Sequence, residues 1–163
     1  MPLYPPSPIT PWAMISDDNC TALSTTFALS ANNTYIMATT WNAYGILTGF
    51  RVRFVAGGNG NYDVGLYDSA GNRLCSIGTT ATATGILSPS LSTAFKLYPG
   101  RFYLAFWIDN ATDTVRAASV SNGLSLCSNG STGAGGLPSS VSPPLGNLGF
   151  NAGIIGLISG GWS

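Results

Sequence analysis

The sequence predicts an all-β protein: an antiparallel β-sandwich of jelly-roll type, with an extended N-terminal arm and a Gly/Pro-rich C-terminal tail. Three observations lead there. Only 7% of the 163 residues are charged, against about 25% in typical globular domains. Every acid is Asp, and Glu and His are absent, so the residues that furnish exposed helix faces are missing. Apolar residues alternate with period two in many short runs, and no window sustains a helical period. These runs recur about every 8–12 residues between Gly, Asn, Asp and Pro, the spacing of a sandwich or barrel.

Taken in order, residues 1–22 form the arm. Pro2, Pro5, Pro6, Pro8 and Pro11 fix φ and extend their neighbours. Leu3, Tyr4, Ile9 and Trp12 make this segment too apolar for a plain linker. It either folds back on its own domain or lies along a neighbour. The sandwich domain follows, over residues 23–127. "TTFALSA" and "YIMATTW" read as strands around a turn at Asn32 and Asn33. In "GFRVRFVAG", Phe50, Val52 and Phe54 point one way and Arg51, Arg53 and Val55 the other. "GGNGN" is a loop suited to positive φ. "YDVGLYD" turns Val64 and Leu66 inward and Asp63 and Tyr67 outward.

"DSAGN" carries type I turn chemistry, with Gly71 able to take the left-handed bulge position. "RLCSIG" returns, and "TTATATG" reads equally as edge strand or loop. "LSTAFKL", the Pro99-Gly100 turn and "RFYLAFWID" complete the strong pattern, and "DTVRAASV" and "LSLCS" are weaker strands. Residues 128–163 begin as a Gly/Ser/Pro linker and end in the apolar "FNAGIIGLISGGW". An apolar end of that kind needs burial, as a last strand of its own sheet or as a tail docked on a partner.

Several function classes lose ground on inventory alone. Without His, no Ser-His-Asp or Cys-His pair can form. Asp63 and Asp68 lie near one turn, where acids beside Gly and Asn serve mainly as turn makers. No catalytic residue is assigned, and the chain is read as non-enzymatic. Asp17, Asp18 and Asn19, and again Asp109, Asn110, Thr112 and Asp113, gather oxygen ligands. Neither run has EF-hand spacing; both read as polar caps, and no metal or cofactor is expected. Cys20, Cys75 and Cys127 are read as free thiols, with one disulfide as the other possibility. Basic residues do not cluster, so nucleic acid is not an expected partner. The N-terminus has no basic leader region, and "YLAFWI" and "GIIGLI" fall far short of the roughly 18 residues a membrane helix needs. Synthesis in a cytoplasm without a membrane anchor is the expectation.

The outward residues of "RFYLAFWID" pose the functional question. Phe102, Leu104, Phe106 and Ile108 make a core face, and Tyr103, Ala105 and Trp107 occupy the face that should meet water. A sugar, a partner subunit or the chain's own arm or tail could cover these rings. Tyr67, Tyr103 and Trp107 are the candidate carbohydrate set. The candidate interface set is Tyr4, Ile9 and Trp12 in the arm, Arg51, Arg53, Tyr103 and Trp107 on the sheets, and Ile154, Ile155 and Trp162 in the tail.

One resemblance bears on the choice. Leu66, Tyr67, Asp68 and Gly71, followed by Pro99, Gly100, Phe102, Tyr103, Leu104 and Ala105, resemble a pattern of jelly-roll modules in tailed-bacteriophage virion proteins. The likeness covers residues 50–109, about a third of the chain. It implies a location in the virion, as a tail-fibre, baseplate or capsid decoration protein. The lack of a shaft, with an arm and an apolar tail, suits a cement protein bound to the major capsid protein. Such proteins often trimerise, so the resemblance also implies a homo-oligomer, with a trimer favoured. The alternative is a tail-fibre or baseplate module that recognises host polysaccharide.

Overall fold

The computed structural model describes residues 25–42, 44–119, 127–131, 135–142, 150–152 and 154–159. The expected arm, residues 1–22, lies outside them. The strands, in chain order, are β1 (Thr25–Ala28), β2 (Asn33–Trp41), β3 (Gly45–Ala56), β4 (Asn61–Tyr67), β5 (Arg73–Ser76), β6 (Thr80–Ala81), β7 (Gly85–Leu87), β8 (Ser90–Leu97), β9 (Gly100–Ile108), β10 (Thr114–Ser119), β11 (Cys127–Ser131), β12 (Phe150–Ala152) and β13 (Ile154–Ser159). No helix occurs among the described residues. The all-β class expected from the palette and the period is what forms.

The strands make two antiparallel sheets that pack face to face as a β-sandwich. In the first, β1, β10, β3 and β13 lie in that order, with β12 on β10 and β7 and β8 on β3. In the second the order is β11-β2-β9-β4-β5, with β6 also on β4. Strand β9 holds the centre of this second sheet. It pairs with β2 from Asn33↔Ile108 to Trp41↔Gly100 and with β4 from Tyr62↔Ile108 to Tyr67↔Tyr103. The sheets continue past residue 127: β11 pairs with β2, β12 with β10 and β13 with β3. The apolar C-terminal run thus supplies a strand to its own sheet.

The period-two pattern sets the interior. Phe50, Val52 and Phe54 of β3 and Val115 of β10 meet Tyr35 and Met37 of β2, Tyr62, Val64 and Leu66 of β4, and Leu104, Phe106 and Ile108 of β9. All are buried. Removing each such side chain from water stabilises by about 1.5–3 kcal/mol. Phe54 stands edge-on to Tyr62 at 5.2 Å, and both approach Phe106 at 6.0 and 6.1 Å. Burial and the neighbouring Asp63 charge push the Tyr62 hydroxyl up to about 12, so it stays protonated in this core.

Two turns form as their residues dictate. Asn32 takes a left-handed φ of 58° just before β2. In the β4–β5 turn, the Asp68 carboxylate accepts from the Ala70 and Asn72 N–H groups and the Asn72 side chain. Those bonds, the Asn72 side chain first, hold its carboxyl below the usual range. The Gly71 N–H donates to Asp68 O, Gly71 has φ +89°, and the ladder shifts register between Leu66 and Tyr67. The ambiguous "TTATATG" divides into β6, a short connection over residues 82–84 with a bend at Thr84, and β7.

Candidate functional site

The outer face of the second sheet carries Ile36 from β2, Tyr103, Ala105 and Trp107 from β9, and Tyr67 from β4. Alternation along three adjacent strands puts these side chains together. Residues 135–142 lie over them as a strap, and Leu137 and Val141 insert into the aromatic layer. Tyr67, Tyr103 and Trp107 are only 0, 5 and 1% exposed. Of the three possible covers, the described chain supplies its own. No ring face of the three is offered to a sugar or a partner as the chain stands. Tyr103 is approached at its edge of the layer by the exposed Arg101 guanidinium, 5.7 Å from the ring centroid.

Backbone groups hold the strap. Arg73 N–H donates to Ser139 O at 2.9 Å, and Val141 N–H to Gly71 O at 2.8 Å. The Tyr67 hydroxyl donates to Pro138 O at 2.7 Å, Thr79 Oγ1 to Gly135 O at 3.2 Å, and the Arg73 guanidinium to Leu137 O. Asn72 and Ser140 form an isolated antiparallel bridge. Pro138 has no N–H to satisfy, so it costs nothing at this position. A Cβ on Gly71 would sit 2.1 Å from Val141 O. Gly71→Ala is therefore expected to cost more than the roughly 1 kcal/mol of an ordinary strained φ and to release the strap. Hydrogen exchange at Val141 N–H checks this, with loss of protection as the expected result.

Among the described residues, Asp63 is the acid beneath the strap. Sequence alternation placed it outward, and the strap turns that outward position into a buried one, 2% exposed. Its Oδ2 accepts from Leu137 N–H at 3.1 Å, and its Oδ1 is buried without a hydrogen bond. Burial pushes its carboxyl above the usual range. The Leu137 N–H, the Arg73 charge, the Gly78 N–H and the Ser76 hydroxyl pull the other way without cancelling that effect. Tyr67 is likewise shifted upward, chiefly by burial, and keeps the proton it gives to Pro138 O.

The second polar cluster closes one end of the sandwich. Asp109 Oδ1 accepts from Asn61 N–H at 2.7 Å and Oδ2 from Asn61 Nδ2 at 2.8 Å. Burial raises the Asp109 carboxyl, but the bonds from Asn61 and Asn110 outweigh it and hold it below the usual range. Asp113 is fully buried. It accepts from Asn59 Nδ2 at 2.7 Å, Thr82 Oγ1 at 2.6 Å and Asn110 Nδ2 at 3.2 Å. Asn110 Oδ1 in turn accepts the Thr112 and Asp113 N–H groups. Each carboxylate oxygen here already meets a protein donor, which is how polar caps at strand ends are satisfied. Among the described residues no three His, Cys, Asp or Glu side chains gather as a metal group. Cys75 is half-buried and free, and burial pushes its thiol up to about 12.

The remaining candidates fall as follows. Arg51 and Arg53 lie on the outer face of β3, partly buried, with Arg51 Nε 3.4 Å from Ser88 Oγ. Ile154 and Ile155 sit in β13, opposite Val52 and Arg51. Tyr4, Ile9, Trp12 and Trp162 lie outside the described residues. Leu137, Val141 and Arg73 were not singled out by the sequence; the only local signal was a Leu and a Val four apart in a Gly/Ser/Pro stretch. Tyr44 and Tyr98 were also not singled out. They are 51 and 53% exposed and meet edge-on at 6.0 Å, on the loops that precede β3 and β9. Compared with family models, curated proteins and solved structures, the chain matches none.

Proposed function

We propose that the chain is a non-enzymatic virion structural protein, a capsid decoration or cement protein. It would stabilise a shell through contacts with the major capsid protein and with copies of itself, as a trimer. The observation that carries this reading is the strand order. Strands β1-β10-β3 with β7 and β8 face β2-β9-β4-β5. Successive strands cross between the sheets in the manner of two Greek keys wound together, and we read the sandwich as a jelly roll on that basis. Jelly rolls recur in viral capsid and lectin domains. The nearly charge-free composition supports it further, since such a surface favours association. Weak contacts repeated over a shell gain from avidity. Shells lacking the protein should melt lower and lose DNA sooner, and adding the purified chain should restore both. Shells indifferent to its presence would overturn the proposal.

One observation favours the alternative, a tail-fibre or baseplate module that recognises host polysaccharide. The exposed Tyr44–Tyr98 pair offers ring surface at a loop end, where Tyr67, Tyr103 and Trp107 offer none. A glycan array decides it: binding lost in Tyr98→Ala would support the polysaccharide reading, and no binding by the native chain would remove it.

A further inference from the structure

The strap lies on a sheet that is complete beneath it. Leu137 and Val141 pack into the outer aromatic layer, a cluster distinct from the one between the sheets. Strands β2, β9 and β4 pair with one another under that layer. Lifting residues 135–142 therefore breaks no bond of the β2-β9-β4 ladder.

The grip on the strap centres on Leu137. Its N–H donates to Asp63 Oδ2 of β4 at 3.1 Å, and its carbonyl accepts from the Arg73 guanidinium of β5. An acid and a base from adjacent strands thus hold both backbone groups of one strap residue. The strap backbone lies close over the acid: a Cβ on Gly136 would come within 3.1 Å of Asp63 Oδ2 and 3.0 Å of Thr79 Oγ1. Asp63 is 2% exposed, and its Oδ1 is buried without a hydrogen bond. An ionised carboxyl there loses water at an oxygen that no protein donor satisfies.

Among the described residues, few charged or titratable groups face this carboxyl. Strand β4 contributes Tyr62 and Tyr67, whose hydroxyls are shifted upward by burial and stay protonated at neutral pH. Strand β5 contributes Arg73, with Cys75 packed against the inner core. Strand β9 contributes Tyr103, with Arg101 at its ring. Strand β2 offers Ile36 and Ala38, the β5–β6 connection offers Gly78 and Thr79, and residues 135–142 hold no titratable side chain.

We propose that Asp63 makes residues 135–142 a proton-sensitive cover for Tyr67, Tyr103 and Trp107. With the carboxyl protonated the strap lies closed. Once it ionises, the strap lifts more often while the two sheets stay formed. Lifting lets water reach Oδ1, which is the differential interaction that biases the equilibrium. Closure raises the carboxyl above the open value of about 3.9. Closure is therefore favoured most below the open value, and the advantage is lost as pH rises through the closed one. The Arg73 attraction opposes this change. The inference stands independently of the shell reading.

Native-state hydrogen exchange in the full chain tests it, read as amide protection factors from pH 4 to 8 and below the urea transition. Opening at Leu137 and Val141 N–H should exceed that at the amides of β9. It should be nearly independent of urea, whereas opening of β9 rises with urea. At fixed urea, strap opening should grow about tenfold for each unit by which closure raises the carboxyl, and then level off. In Asp63→Asn that growth should vanish. The comparison of strap with β9 needs the native chain alone, so it decides the matter even where the variant does not fold. Strap protection that holds or increases as pH rises would overturn the proposal. So would strap exchange with the urea dependence of β9, which would report unfolding of the whole sandwich. A folded Asp63→Asn chain that keeps the native growth would overturn the assignment to Asp63.

Discussion

Trp107→Ala should cost about 3–5 kcal/mol in urea or thermal unfolding. For a chain of 163 residues that corresponds to a fall in Tm of roughly 6–20 °C. The reason is position. Trp107 is 1% exposed and sits on the central strand, opposite Thr34 on β2 and Asp63 on β4. It packs with Tyr67 and Tyr103 under Leu137 and Val141. Truncation leaves a cavity bounded by two strands and a strap, which cannot all collapse into it. A loss below about 1 kcal/mol, the range of surface substitutions, would mean that the strap does not cover this face. Tyr98→Ala is the control: the ring is 53% exposed, and the expected change is within about 0.5 kcal/mol. This contrast bears on function. Loss of saccharide binding in Trp107→Ala would report a damaged fold, whereas the same loss in Tyr98→Ala would report a contact.

How far the sequence could be read follows from which interactions are local. Strand β9 was legible because its inward residues, Phe102, Leu104, Phe106 and Ile108, repeat every second position. The Asp68–Asn72 turn was legible because its bonds join residues at most four apart. The strap was not. Its hold on the sheet comes from Val141 N–H, Ser139 O, Pro138 O and Leu137 N–H, and backbone groups leave no mark in residue identity. Hence residues 128–149 read as a linker, and Asp63 read as a solvent-facing alternation partner. Within the first stretch, residues 135–142 cover the second position. The aromatic outer face was recognised, and what lay over it was not, because Leu137 and Val141 show no period. The fold class was legible and the pairing of strands was not: composition and period define faces, but β13 meeting β3 joins residues about a hundred positions apart.

Asp63→Asn should make the molecule relatively more stable as pH rises from 4 to 8. Burial places the Asp63 carboxyl above its usual range, so its folded value exceeds the unfolded value of about 3.9. A group shifted this way contributes most below the unfolded value, and the contribution is lost as pH rises through the folded one. Once ionised, the native side chain is a buried carboxylate whose Oδ1 has no hydrogen bond. Asparagine keeps an oxygen for Leu137 N–H and carries no charge. It also buries an amide donor, a cost of about 1–3 kcal/mol that does not vary with pH. The informative quantity is thus the slope of the stability difference, not its offset. That difference should grow in favour of the variant by about 1.4 kcal/mol for each unit by which the carboxyl is raised, and then level off. Asp68 and Asp109 are shifted downward and lose their contributions as pH falls, but both chains share them and they cancel in the difference. Tyr62 and Tyr67 are shifted upward and stay protonated throughout the window. The Arg73 guanidinium lies near Asp63, and its pull opposes the burial effect. If the native chain instead gains on the variant as pH rises, the Arg73 attraction outweighs burial and Asp63 anchors the strap as an ion.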